Sequence, residues 1–304
     1  MESIQSVASQ LTTLRDYIRW AVTSFGKANI YYGHGTDNAL DEALQLVLYG
    51  LAIPVGSEAP LLDAKLTQEE RMHLLTLINT RCRERLPVPY ITGEAWFAGL
   101  LFDVDERVLI PRSPIAELIE HGFEPWLGGQ PQSRILDLCT GCGCIGIAAA
   151  HYFEEANVDL VDLSAEALEV ANKNIRRHEL QHRVRVVESD LFTELEGVYD
   201  LIVSNPPYVD AEDLASMPAE YQHEPAMALG SGHDGLDITR AILSQAADYL
   251  SEQGLLIVEV GNSCLALEEA YPQVPFTWIE FEKGGHGVFA MNREELLYYR
   301  DEFL

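Results

Sequence analysis

Apolar residues recur at helical spacing from Leu11 to about Arg85. Leu14, Ile18 and Val22 form one such set, Leu40, Leu44, Val47 and Leu51 a second, and Leu74, Leu75 and Ile78 a third. Thr36 and Asp37 are candidate caps ahead of the second stretch, and Pro54 ends it. Residues 1–86 therefore read as a small helical domain. Pro87 and Pro89 break the pattern, and Tyr90 to Ile110 alternate apolar and polar positions (Phe102, Val104, Val108, Ile110), as a hairpin or edge strands do. Residues 87–112 read as a linker. After Pro111 a further helix is expected through Ile115, Leu118 and Ile119, followed by a loop at Gly128-Gly129-Gln130-Pro131.

Beyond Arg134 the rhythm changes to short buried strands alternating with helices. The expected strands are Ile135–Cys139, Val158–Leu163, Val184–Glu188, Leu201–Ser204 and Leu255–Val260, with Phe276–Phe281 and Val288–Met291 closing the chain. An amphipathic helix lies between the second and third, capped by Ser164, with Leu168, Ala171 and Ile175 on one face. Strands and helices in alternation imply an α/β, doubly wound, mostly parallel sheet over residues 113–304. The last two strands, joined through Gly284-Gly285-His286-Gly287, fit an antiparallel hairpin.

The length of 304 residues suits one catalytic domain with a smaller accessory region. No apolar run approaches the roughly 20 residues of a membrane span, and the first residues do not form a secretory signal, so a cytoplasmic protein is expected. Five cysteines, an odd count without paired spacing, read as reduced thiols rather than as disulfides or metal ligands. The chain carries 20 basic against 48 acidic residues, and 34 of the acidic ones follow residue 110. A field of that sign repels phosphate backbones and attracts basic proteins or cationic ligands. Adaptation of solubility to a salty or cold habitat is the other account of the acidity.

Ile135-Leu136-Asp137-Leu138-Cys139-Thr140-Gly141-Cys142-Gly143-Cys144-Ile145-Gly146 reads as a strand, a glycine-rich turn and a helix start. Glycine lets a backbone approach a ligand closely, and Thr140, Gly141, Gly143 and Gly146 are candidate cofactor residues. Dinucleotide enzymes use a similar turn, although this one does not read Gly-x-Gly-x-x-Gly. Asp162, followed by Leu163, ends the next strand, where a carboxylate accepts hydrogen bonds from ribose hydroxyls. Asp190, followed by Leu191 and Phe192, ends the third, where an acid and an apolar side chain suit an adenine ring. Either acid alone also fits a helix cap. Asp137 is the candidate partner of a methionine moiety, directly or through water.

The fourth strand delivers Asn205-Pro206-Pro207-Tyr208 to the same crevice. An amide nitrogen is a poor nucleophile because its lone pair is delocalised into the carbonyl. The Asn205 side-chain oxygen and the Pro206 carbonyl can each accept one hydrogen of an NH₂ group, localising that pair and selecting against nitrogens with fewer hydrogens. The two prolines preorganise both acceptors, and Tyr208 can stack on the planar group beside a sulfonium.

The glycine turn, Asp162, Asp190 and Asn-Pro-Pro-Tyr resemble the class I amino-methyltransferases. Tyr90-Ile91-Thr92-Gly93, Phe97 and Val108-Leu109-Ile110-Pro111-Arg112 narrow the resemblance to the protein-glutamine methyltransferases, over nearly the whole chain. That resemblance implies S-adenosylmethionine as methyl donor, S-adenosylhomocysteine as product, and a substrate glutamine bound by Asn205. It also implies that the helical domain and linker recognise the surrounding protein. Members modify either release-factor Gly-Gly-Gln loops or large-subunit ribosomal protein L three. Release-factor enzymes usually follow Pro-Arg with Pro-Glu-Thr-Glu, whereas this chain has Ser113-Pro114-Ile115-Ala116. Gly33-His34-Gly35-Thr36-Asp37-Asn38-Ala39-Leu40-Asp41-Glu42-Ala43 also resembles the ribosomal-protein branch. The expected partner is therefore basic ribosomal protein L three, not nucleic acid, with release factors the alternative and an adenine or guanine enzyme behind both. His34 reads as a turn former. Arg112 contacts cofactor or substrate, or pairs with Glu117 or Asp105. Asp210, Glu212, Asp213, Glu220 and Glu224 form a solvated loop or meet a basic partner.

Overall fold

Capping side chains set the helices of the first part of the chain. In the computed structural model, which describes residues 4–129 and 132–304, these helices are α1 (Ile4–Gln10), α2 (Leu14–Ala28), α3 (Ala39–Gly50), α4 (Gln68–Glu84) and α5 (Val88–Thr92). Thr13 with Asp16 and Thr67 with Glu70 form reciprocal capping boxes at α2 and α4. The cap of α3 is Asn38, not Thr36 or Asp37: its side chain accepts from Leu40 N and Asp41 N. Its buried face is Ala43, Leu46 and Val47, while Leu40 is exposed. The sequence pattern found the helix but placed the inward face one position off. Pro89 opens the first turn of α5 rather than ending a helix, a position at which its missing N–H costs nothing.

By its contacts the chain forms two units. One runs to Glu94 and includes Pro218–His223, and the other holds Ala95–Met217 and Glu224–Leu304. The first unit thus takes in a short segment from far down the chain. Its Glu220, buried, accepts from Arg85 at 3.1 Å and from the backbone N–H of Tyr31 at 3.1 Å, and lies 3.6 Å from Arg81. Arg81, fully buried, donates to Glu42 at 2.6 Å. His34 is buried against the ring of Tyr221, centroids 4.5 Å apart.

In the second unit a hairpin of β1 (Glu94–Phe97) and β2 (Leu100–Asp103) falls within the expected linker, while Val104 to Ile110 form no strand. The main sheet comprises β3 (Arg134–Leu138), β4 (Asn157–Asp162), β5 (Val184–Glu188), β6 (Tyr199–Ser204), β7 (Leu250–Glu259), β8 (Thr277–Trp278) and β9 (Val288–Asn292), in the spatial order β5-β4-β3-β6-β7-β9-β8. The first five run parallel, and β9 pairs antiparallel with both β7 and β8. The expected closing hairpin is present, but β8 shrinks to two edge residues. Continuous apolar runs such as Leu201-Ile202-Val203 suit strands buried on both faces.

Helices α6 (Ile115–Glu120), α7 (Cys144–Tyr152), α8 (Ala165–Arg177), α9 (Ala211–Ser216) and α10 (Asp237–Tyr249) complete the crossovers. The expected cap of α8 is in place, with Ser164 accepting from Ala167 N at 3.1 Å. Gln130 and Pro131, half of the expected glycine loop, lie outside the described residues. Strand order reverses between β3 and β6, so a crevice opens at their carboxyl ends, the usual ligand position in a doubly wound sheet.

Removing one partner from a buried ion pair strands the other. Arg81→Ala leaves Glu42 buried without its guanidinium and Glu220 with Arg85 alone, and a loss of about 3–5 kcal/mol is expected in urea unfolding of the helical unit. An unchanged midpoint would contradict that account.

Candidate functional site

The glycine turn after β3 follows a path few side chains tolerate. Cys139, Gly141 and Gly143 all have positive φ (56°, 55° and 84°), and Thr140 N–H donates across to Val161 O at 2.9 Å. The turn therefore bends back over the end of β4 before α7 begins. Asp162, at that end, receives Gly141 N–H on one oxygen and Ser164 N–H on the other, each at 2.9 Å. Burial pushes its carboxyl above the ordinary value, and these backbone donors pull it back. It thus ties the glycine turn to the start of α8 while remaining in the cavity wall.

Asp137 is fully buried. Its Oδ2 accepts from the Thr140 hydroxyl at 2.6 Å and from Gly146 N–H at 2.8 Å, whereas Oδ1 has no hydrogen-bond partner. Burial raises its pKa from 3.8 to about 7. Gly146 is a packing residue: a Cβ there would lie 2.2 Å from the Leu160 side chain and 2.9 Å from Asp137 Cβ.

At the end of β6, Ser204 donates to Leu138 O at 2.8 Å and binds the two central strands together. Asn205 follows, and its Oδ1 is buried with no hydrogen-bond partner. Tyr208 is held by its backbone: its N–H donates to Leu229 O at 3.1 Å, and its carbonyl accepts from the Ser263 hydroxyl at 2.7 Å. Its ring lies on Gly261, where a Cβ would come within 2.5 Å.

One cavity gathers much of this. Its walls include Thr140, Gly141, Asp162, Leu163, Asp190, Leu191, Asn205, Pro207 and Arg112. Asp137, Gly143, Gly146, Pro206 and Tyr208, expected in the site, are not among its wall residues. Phe192, expected near the adenine position with Leu191, is instead fully buried and stacked on Tyr249 at 4.6 Å. Arg112 pairs with neither Glu117 nor Asp105. It makes a two-pronged contact with buried Glu224, at 2.6 and 2.8 Å, and Glu224 also accepts Ile110 N–H at 3.0 Å. Glu117 holds Glu282 N and Lys283 N instead, and Asp105 holds Arg107. Glu220 and Glu224 are thus internal anchors rather than a docking surface. Asp210 caps α9, and Glu212 and Asp213 are exposed. Pro225, Met227 and Ala228 also line the cavity. The sequence reading gave them no role, although their apolar run interrupts an acidic stretch.

Among known proteins, the chain is 49% identical to the ribosomal protein uL3 glutamine methyltransferase of Francisella tularensis, over 98% of this chain and 96% of that one. It is 51% identical to the enzyme of the same name from Neisseria meningitidis serogroup A, over 95% of this chain and 96% of that one. The chain belongs to the ribosomal protein uL3 glutamine methyltransferase family. The methyltransferase small domain family matches residues 124–221, the stretch from the end of α6 past the tetrapeptide. A solved structure of the hMettl16 catalytic domain in complex with MAT2A 3′UTR hairpin 6 shares the fold, with a TM-score of 0.50 and 20% identity over 73% of this chain and 80% of that one. In this uL3 glutamine methyltransferase family member the cavity walls suit a nucleoside: the glycine turn after β3 and the acids Asp162 and Asp190 after β4 and β5 line it, and two buried side-chain oxygens, Asp137 Oδ1 and Asn205 Oδ1, lack a donor.

The buried Asp137 carboxyl makes stability depend on pH. Its folded pKa lies above the unfolded one, so the folded protein binds more protons between pH 3.8 and about 7, and this contribution is lost as pH rises through that window. In ligand-free protein Asp137→Asn should flatten the fall in Tm between about pH 5.5 and pH 8. A pH profile parallel to that of the unaltered chain would refute the assignment.

Proposed function

We propose that the chain transfers a methyl group from S-adenosylmethionine to the side-chain amide nitrogen of a glutamine in ribosomal protein uL3. The observation that carries the reading is Asn205 Oδ1, a buried acceptor with no donor, at the head of Asn-Pro-Pro-Tyr and in the cavity wall. Such an atom costs free energy unless an incoming N–H meets it. The uL3 enzymes at about half identity support glutamine as the target and uL3 as its carrier.

Bound S-adenosylmethionine supplies a methyl carbon made electrophilic by a sulfonium. The residues of this chain do the rest by position. Asn205 Oδ1 takes one amide hydrogen and the Pro206 carbonyl the other, so the nitrogen lone pair points away from both. With its lone pair so directed, the amide nitrogen would receive the methyl group that the sulfonium gives up, and the extra proton on nitrogen would pass to solvent. No base is needed before transfer. Asp162 and Asp190 would accept from the ribose and adenine ends of the cofactor, with Leu163 and Leu191 beside them, and Asp137 Oδ1 would take the methionine end directly or through water. Arg112, neutralised by Glu224, shapes the wall and acts on substrate only through that position. The exposed acids Glu212 and Asp213, just after the tetrapeptide, suit a basic protein partner.

Purified chain with tritium-labelled cofactor tests this against uL3, release factors and ribosomal RNA supplied separately. Label is expected in uL3; label confined to RNA, or to release factors, would replace the substrate. Asn205→Ala should lower kcat about 10²-fold or more while cofactor affinity holds within roughly threefold. Full activity in that variant would end the proposed mechanism.

A further inference from the structure

Glu259 closes β7 as a buried acid, and both of its oxygens are engaged. Oε2 accepts the Ser113 hydroxyl at 2.5 Å, and Oε1 accepts the Tyr208 hydroxyl at 3.1 Å. Ser113 Oγ in turn accepts Ile115 N–H at 3.1 Å, in the first turn of α6. One carboxylate therefore joins the end of a central strand, the start of a helix and the last residue of the tetrapeptide.

The backbone contacts of Tyr208 fix its main chain, and Gly261 supports one face of its ring. Neither fixes where the far end of the ring points. The hydroxyl oxygen lies on the axis of the second side-chain torsion, so a hydrogen bond there sets the first torsion and anchors the far end of the ring, while the face against Gly261 restricts its tilt. Burying a carboxylate for this purpose costs free energy, and burial does raise the Glu259 pKa, opposed by the two hydroxyl donors and by Arg112. A neutral hydrophobic residue would fill the same space at lower cost, so the acid answers to something other than packing.

We propose that Glu259 is a positioning residue for methyl transfer: supported by Ser113, it anchors the far end of the Tyr208 ring in the place that the substrate amide requires. The inference rests on the reading of Asn205-Pro206-Pro207-Tyr208 as the amide site. Ser113, which also lines the cavity, joins the catalytic support through its bond to Glu259.

Steady-state kinetics with uL3 test it in Glu259→Leu, Glu259→Gln, Ser113→Ala, Tyr208→Phe and the Glu259→Leu/Tyr208→Phe double variant. Glu259→Leu should lower kcat about tenfold or more, as small misplacements do, with cofactor affinity and the KM for uL3 within roughly threefold. Glu259→Gln should recover most of that loss, because its amide oxygen can accept from Tyr208 while its NH₂ donates to Ser113 Oγ. The double variant should be no slower than the slower single one, since both remove the same contact. Wild-type kcat in Glu259→Leu, effects that multiply in the double variant, or a loss confined to cofactor affinity would each overturn the proposal. Should Glu259→Leu fail to fold, Tyr208→Phe and Ser113→Ala decide: both must lower kcat, and wild-type kcat in either overturns it. Asn205→Ala keeps the two readings apart. An inactive Asn205→Ala beside a fully active Glu259→Leu sinks only the role of Glu259, while an active Asn205→Ala sinks the amide site itself.

Discussion

A buried side-chain oxygen without a hydrogen-bond donor costs a folded protein about 1–3 kcal/mol, and at Asn205 that cost sits where a strand delivers its residue to an open crevice. The surrounding structure keeps that oxygen from finding a partner of its own. Ser204 is fixed to β3 through Leu138 O, two prolines follow Asn205, and Tyr208 is bound at both its N–H and its carbonyl. On the proposed reading, the compensating hydrogen comes from the substrate amide. Preorganisation of this kind places the cost in folding rather than in the reaction.

The parallel sheet makes such a site possible. The reversal of strand order between β3 and β6 opens the crevice, and the carboxylates at its rim serve as braces. Asp162 clasps Gly141 and Ser164, Asp137 clasps Thr140 and Gly146, and Glu224 clasps Arg112 and Ile110. Each spends at least one oxygen on the protein. Asp137 keeps Oδ1 unengaged, and it shares with Asn205 the property of being a buried acceptor beside the cavity. The glycines divide by purpose. Gly141 provides the backbone path, while Gly146 provides room for Leu160 and Asp137 to pack beneath the turn.

What the sequence disclosed was what short-range pattern controls. Short apolar runs located all seven strands of the main sheet, and Ser164 marked the start of α8, because burial on both faces and a cap are both written locally. The tetrapeptide and the glycine turn were legible for the same reason. What stayed hidden depends on partners far apart in the chain. Arg112 and Glu224 are 112 positions apart, and Tyr208 and Glu259 are 51 apart, so no periodicity joins them. Glu220 and Glu224 looked like one solvated acidic loop, yet Glu220 is buried against Arg81 and Arg85, and Glu224 against Arg112. The helical face of α3 was misplaced because Leu40, beside the true cap Asn38, is exposed at the helix end while Ala43 is buried. Wall residues and braces could not be told apart either, since Asp137 and Asp162 carry the same signal at the end of a strand.

The central claim is that two fixed acceptors, Asn205 Oδ1 and the Pro206 carbonyl, require a nitrogen with two hydrogens. Its most direct measurement uses uL3 in which the target glutamine already carries one methyl on its side-chain nitrogen, incubated with excess cofactor and followed by intact-mass spectrometry. The account predicts that this substrate gains no further methyl, while unmodified uL3 gains one on that glutamine and stops. A second methyl on the same nitrogen would contradict it.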